Sequence, residues 1–240
     1  MSRIKFLQVE NVRNLVQALS ALRSRDPGVP GLAVVHGPPG RGKTQAAIWY
    51  AANKGGRYIE ANPAWTVRWM LNDLYLLGKG LRQGPRIHRV DQAYELAVGV
   101  LEQVPLPILI DEGDRLCRDI RLLEMIRHLH DRTGVPIVFI GTDIITGKLA
   151  QHDRFWRRVM QVVPFNPLGL AEIRLAAREL AGLELPAEAL EMLHRHTKGE
   201  FGSVVKVLPK LSRALRAGER GKVAPELVDR VCTRALRRAA

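Results

Sequence analysis

Cysteine is nearly absent: Cys117 and Cys232 are the only two in 240 residues, far apart and without metal-ligand spacing around them. That scarcity excludes a disulfide framework and a cysteine-built zinc site, and it suits a reducing compartment. Long apolar runs are missing as well. The best of them, around Ile108–Ile110 and Ile137–Ile140, fall far short of the roughly 20 residues a membrane helix takes. The opening MSRIKFLQVENVRN has no apolar stretch before a cleavage site, so no secretory signal is expected and a cytoplasmic location is. Acid is in short supply, with 24 Asp+Glu against 37 Lys+Arg and a formal net charge of +13. A field of that sign attracts polyanions, although an arginine-rich composition also follows from genomic base composition in some bacteria. Aromatics make up only 5%; no broad aromatic face accompanies the charge, so no membrane partner is expected. What is present is core material: 46% hydrophobic residues beside 25% charged ones exclude wholesale disorder.

Apolar residues at Val12, Leu15, Val16, Leu19 and Leu22 recur at spacings of three and four, which predicts a helix within Val9–Arg25. After the breaker cluster Asp26–Gly31, LAVVH reads as a buried strand that stops at Gly37, and helical pattern resumes over Lys43–Asn53. A strand is predicted over Arg57–Ala61, a helix over Trp65–Leu77, a basic loop over Gly78–Arg86 and a helix over Val90–Gln103. Strand Ile108–Ile110, helix Arg121–Arg132, strand Ile137–Ile140 and a last strand near Val159–Val163 complete the alternation. That order implies an α/β fold with a mostly parallel sheet covered on both faces. Beyond Pro164-Phe165-Asn166-Pro167 only helices are predicted, over Leu170–Leu180, Ala187–His196, Ser203–Ala217 and Pro225–Arg238. The expected domains are therefore 1–165 and a small all-helical one over 166–240.

Gly37-Pro38-Pro39-Gly40-Arg41-Gly42-Lys43-Thr44 matches G-x-x-x-x-G-K-[ST] between a predicted strand and a predicted helix. Glycines let the backbone close around phosphate oxygens, and the helix N-terminus adds unpaired N–H groups and partial positive charge. Lys43 would reach the β- and γ-phosphates of ATP, and Thr44 would offer its hydroxyl to Mg²⁺. Gln45, next on the helix, joins the loop as a nucleotide contact. Ile108–Ile110 ends in Asp111-Glu112; Asp111 would hold Mg²⁺, and Glu112 would polarise the water that attacks the γ-phosphate. If Ile137–Ile140 lies between those two strands, Thr142 or Asp143 at its end would orient that water. Arg154, or alternatively Arg157 or Arg158, would stabilise transition-state charge in a neighbouring subunit's site.

This set of motifs resembles the AAA+ ATPases: a phosphate loop, a strand ending in Asp-Glu, a polar strand end, an arginine before the final strand and a helical lid. The resemblance implies ATP bound between the α/β domain and the lid, with sites shared between subunits of a ring or helix. One departure is Gly199-Glu200-Phe201-Gly202, where many relatives carry G-x-x-R; Lys206 lies one helical turn further on. A narrower resemblance is to the phage Mu transposition protein B and the TnsC and IstB groups of DNA-transposition ATPases. It rests on Asn11-Val12-Arg13, GLAVVHGPPGRGKTQAA, Pro63-Ala64-Trp65-Thr66 and the compact lid. It implies ATP-dependent filaments on double-stranded DNA and recruitment of a transposase, without the extra N-terminal DNA-binding domain of the Mu protein.

The segment Trp65–Arg89 carries Arg68, Lys79, Arg82, Arg86 and Arg89 against the single acid Asp73. Contacts from Arg68, Lys79, Arg82 and Arg86 to phosphates would bind DNA without reading its sequence. The alternative is a core of Trp65, Trp69 and Leu74 beneath a solvated loop. Lys206–Ala240 is a second basic stretch, equally consistent with the outer face of packed helices. Two rival functions remain at this level: an ATP-dependent protein-interaction adaptor of the ExeA-like kind that ignores DNA, and a helicase-loader-type ATPase that prefers single strands. The low aromatic content favours the duplex over single strands.

Overall fold

A computed structural model of the chain describes residues 6–216 and 223–236. The parts of the basic stretch Lys206–Ala240 at 217–222 and 237–240, with the predicted helix ends at Ala217 and Arg238, lie outside the described residues. The chain divides into two compact units. One holds 11–38 and 43–165; the other holds 6–10, Pro39–Gly42 and the described residues from Asn166 onward.

The larger unit contains α1 (Glu10–Arg23, from Asn11 on), β1 (Leu32–His36), α2 (Lys43–Tyr50), a π-helical turn at Ala51–Gly55 and β2 (Arg57–Glu60). It continues through α3 (Val67–Gly78), α4 (Val90–Gln103), β3 (Ile108–Asp111), a 3₁₀ segment at Gly113–Arg118 and α5 (Ile120–Thr133). Then come β4 (Ile137–Ile140), α6 (Ile144–Ala150), α7 (Asp153–Trp156) and β5 (Val159–Pro164). The strands form one parallel sheet in the order β2-β3-β4-β1-β5. Every residue of β3 and β4, and all of β1 but His36, is buried. Their continuous apolar runs follow from helices covering both faces. On one face Leu32, Ile108, Ile110, Ile137 and Phe139 pack with α3, α4 and α5 through Leu71, Leu101, Leu123 and Ile126. On the other, Tyr50 of α2 and Leu109 of β3 meet over Gly56.

The parallel alignment brings the C-terminal ends of β1, β4 and β3 side by side, with β4 between the other two. The chain leaves β1 toward one edge to form β2 and returns past it to form β5, so this end of β1 is where the connections diverge and ligands of open α/β sheets collect.

Three short elements depart from the sequence reading. The 3₁₀ segment, α6 and α7 have 6, 7 and 4 residues, too few to show a helical repeat. Tertiary burial makes them instead: Ile145, Leu149 and Phe155 are fully enclosed, and the Phe155 ring meets Phe139 edge-on with centroids 5.1 Å apart. Helix α3 begins two residues later than the pattern suggests, because Thr66 is its cap and accepts from Trp69 N at 3.3 Å. Trp65 therefore precedes the helix, buried, with Nε1 donating to Asp73 at 2.7 Å.

His130 of α5 is buried at the opposite end of the sheet. Gly31 N donates to its Nε2 at 3.0 Å, and its Nδ1 lies 2.8 Å from Val135 O. A carbonyl only accepts and an amide N–H only donates, so the ring is the neutral Nδ1–H tautomer. Burial pushes its pKa below the usual 6.5, and Arg25 and Arg158 act the same way against Val135 O and Asp131. With a lowered folded pKa the unfolded chain binds the extra proton, so this contribution is complete above 6.5 and lost as pH falls through the folded value. Protonation takes away Gly31's acceptor, a loss of about 1–3 kcal/mol for a buried donor. Denaturant titrations between about pH 8 and about pH 5 should show a flatter stability profile for His130→Gln than for the wild type. Parallel profiles would remove His130 from this role.

The smaller unit packs α8 (Leu170–Ala181), α9 (Ala187–Thr197), α10 (Phe201–Arg216) and α11 (Pro225–Leu236). Ile173, Leu193, Val204, Leu208, Leu211 and Val228 are fully buried between them, and His196 Nε2 lies 2.8 Å from Asp229 Oδ1 across α9 and α11. No helix among the described residues is long and apolar enough to cross a membrane.

Candidate functional site

The loop after β1 turns because Gly40 and Gly42 take φ of 81° and 89°, a region costly for side chains with a Cβ. Within the smaller unit, a Cβ on Gly40 would collide with the Glu200 carboxylate, while Gly202 N donates to Gly40 O at 2.9 Å. Gly202, the position that departs from G-x-x-R, thus sits directly on Gly40. Lys206 is exposed on α10. Arg41 reaches Gly199 O at 3.4 Å through one terminal nitrogen, and its buried Nε has no partner among the described residues.

In the larger unit, Lys43 Nζ donates to Gly37 O at 2.6 Å and to Pro38 O at 3.0 Å, so the loop's own carbonyls hold the ammonium. Burial pulls its pKa below the usual lysine range, opposed by Asp111, Asp143, Asp114 and Glu112. Those four carboxylates identify the groups that share its surroundings. Thr44 Oγ1 donates to Asp111 Oδ2 at 2.6 Å, which brings together the two residues expected to hold a cation. Both offer hard oxygen donors on one spot beside the loop, the chemistry that Mg²⁺ takes. Gln45 is exposed on the first turn of α2, and Pro38 and Pro39 are exposed on the loop.

Glu112 follows Asp111 in a left-handed conformation, φ 54° and ψ 34°. For a residue with a Cβ this costs of order 1–3 kcal/mol and marks a position the surroundings impose. Its N–H donates to Asp111 Oδ1 at 2.9 Å. The carboxylate is about half exposed and lies 3.6 Å from Arg115, whose other terminal nitrogen donates to Glu60 at 2.9 Å and to Ala61 O at 2.6 Å. Thr142 is drawn aside: Asp114 accepts from its N–H at 2.7 Å and its hydroxyl at 3.2 Å. Asp143 is exposed and pairs with His36 Nδ1 at 3.1 Å.

Arg154 and Arg157 are exposed on and after α7, whereas Arg158 is half-buried and bound to Asp131 at 3.2 Å. Arg68, Lys79, Arg82 and Arg86 are all exposed along α3 and the loop that follows. That loop is fixed at its far end. Buried Asn72 accepts from Ile87 N at 2.7 Å and donates to Ile87 O at 3.0 Å, and the Arg86 guanidinium lies 5.0 Å above the Trp69 ring. His36, Tyr58, Asn72, Asp114 and Arg115 were not legible as site residues. Each acts on a residue distant in sequence, and no local motif announces it.

Comparisons with known proteins identify the family. The family model described as an AAA domain matches residues 28–149, just over half of the chain. A Staphylococcus aureus protein described as a potential ATP-binding protein is 22% identical over 237 residues, covering 82% of this chain and 86% of its own. Among solved structures, the Aeropyrum pernix ORC2 protein in ADPNP-ADP complexes is similar with a TM-score of 0.71 and 15% identity, over 95% of this chain and 68% of that one. The Aeropyrum pernix ORC1 protein in complex with DNA is similar with a TM-score of 0.63 and 18% identity, over 97% and 67%. The structural likeness is one of fold, a P-loop sheet of the AAA+ kind followed by helices. With the matched region spanning β1, the phosphate loop, the Asp-Glu strand end and β4, the chain belongs to the AAA domain family.

Proposed function

We propose that the protein is a Mg²⁺-dependent ATPase that assembles on duplex DNA in its ATP-bound form and regulates a transposase, with hydrolysis controlling the assembly. The observation that carries the reading is one unit holding both the Lys43, Thr44, Asp111 and Glu112 cluster and the exposed basic segment of Arg68, Lys79, Arg82 and Arg86. The loop Gly37–Thr44, with Gln45, receives the triphosphate; Thr44 and Asp111 hold the cation, which supplies charge neutralisation at the phosphates. Glu112 accepts a proton from the attacking water, and Asp143 is favoured over Thr142 to orient that water, because Thr142 is held by Asp114. Arg154 is favoured over Arg158 as the guanidinium given to a neighbouring copy, because Arg158 is occupied by Asp131. The interface is heterologous, so it closes as a ring or continues as a helical filament according to its rotation.

The complex of the similar Aeropyrum pernix ORC1 protein with DNA supports DNA as a partner, and the narrower resemblance to the transposition ATPases supports the duplex and the transposase. The test is electron microscopy of the purified protein with long duplex DNA, in ATP, ADP or no nucleotide, at two salt concentrations. Assemblies on DNA only with ATP, weakening as salt rises, are expected. Nucleotide-dependent oligomers that ignore DNA would replace this reading with the adaptor.

A further inference from the structure

Asp111 is 5% exposed, and each of its carboxylate oxygens is engaged. Oδ1 accepts from Glu112 N at 2.9 Å; Oδ2 accepts from Thr44 Oγ1 at 2.6 Å and also from the Tyr58 hydroxyl at 3.0 Å. Tyr58 comes from the neighbouring strand. In the β2–β3 register Glu60 stands opposite Asp111 and Tyr58 opposite Leu109, so the phenol reaches two residues along the same face. A carboxylate oxygen only accepts, so the Tyr58 hydroxyl is the donor. The phosphate-loop motif accounts for Thr44, and chain continuity accounts for Glu112 N, but nothing in either calls for Tyr58.

We propose that Tyr58 is a positioning residue that fixes the Asp111 carboxylate for a divalent cation and thereby sets the cation requirement of nucleotide binding. The inference rests on the reading of Thr44 and Asp111 as the cation's holders. Without the phenol, Oδ2 keeps Thr44 Oγ1 as a single donor, and that hydroxyl is itself expected to turn to the cation. A hydrogen-bond partner that orients a ligating side chain is commonly worth about 10- to 100-fold in metal affinity. Tyr58→Phe removes the hydroxyl and preserves the ring, so the packing of β2 is retained.

The experiment titrates Mg²⁺ into the full chain with a fluorescent non-hydrolysable ATP analogue and records the Mg²⁺ concentration at half-maximal gain in affinity. Wild type, Tyr58→Phe and Asp111→Asn are compared, each also in EDTA and by thermal melting without nucleotide. For Tyr58→Phe the midpoint should rise by about tenfold or more, while affinity in EDTA stays at the wild-type value and a cooperative melt, lowered only by the lost hydrogen bond, shows the chain folded. An unshifted midpoint in Tyr58→Phe overturns the proposal. So does an equal loss of affinity in EDTA, which would make the contact purely structural. If Asp111→Asn shifts the midpoint and Tyr58→Phe does not, the positioning role alone fails. If Asp111→Asn leaves it unchanged, the cation is held elsewhere and both readings fall.

Discussion

Replacing Glu112 with Gln should lower ATP turnover by about 10²- to 10⁴-fold, the usual worth of a positioned general base, while leaving nucleotide binding at wild-type strength. Gln keeps the length of the side chain and the left-handed backbone that Glu112 adopts, so the Asp111 Oδ1 contact to its N–H survives. What is lost is the basic oxygen alone. In the proposed cycle hydrolysis releases the assembly, so the variant should accumulate in an ATP-bound one. Phosphate release under saturating ATP, measured beside equilibrium nucleotide binding, separates the two quantities. Unchanged turnover would take Glu112 out of the chemistry.

The second large effect belongs to the basic loop. Changing Lys79 and Arg82 together to Glu should abolish duplex binding at physiological salt and leave ATP affinity unchanged. Both side chains are exposed, so the exchange disturbs no packing. Each phosphate contact contributes about 0.9 to the slope of log affinity against log salt. Two lost contacts should therefore flatten that slope by about 1.8, a signature that misfolding does not produce. Binding isotherms on one duplex at several salt concentrations measure both quantities. An affinity and slope equal to the wild type would eliminate this site.

How much of this was legible depended on whether the signal was contiguous. The phosphate loop and Asp111-Glu112 each sit in one stretch, where glycine spacing and a buried strand's end are visible directly. The placement of β4 beside both was conditional on strand order, and the sheet fulfils the condition. Arg115 joins three groups from two strand ends, and Asp114 holds Thr142 across 28 residues; such pairs emerge only once strands have neighbours. Phe155 stands among Asp153, Arg154, Arg157 and Arg158, yet it is fully buried against Phe139. Four helical residues carry no period, and burial there is decided by the rest of the chain.

The Asn72 amide closes the base of the α3–α4 loop by gripping Ile87 on both sides of its peptide. The entropy of closing that loop is consequently lost during folding rather than at an encounter. Lys79, Arg82 and Arg86 lie on the loop so closed, and if they meet DNA as proposed, that part of the ordering cost is met before contact. An uncharged asparagine thus prepares a charged segment, its amide holding the loop's end while the basic side chains remain in solvent.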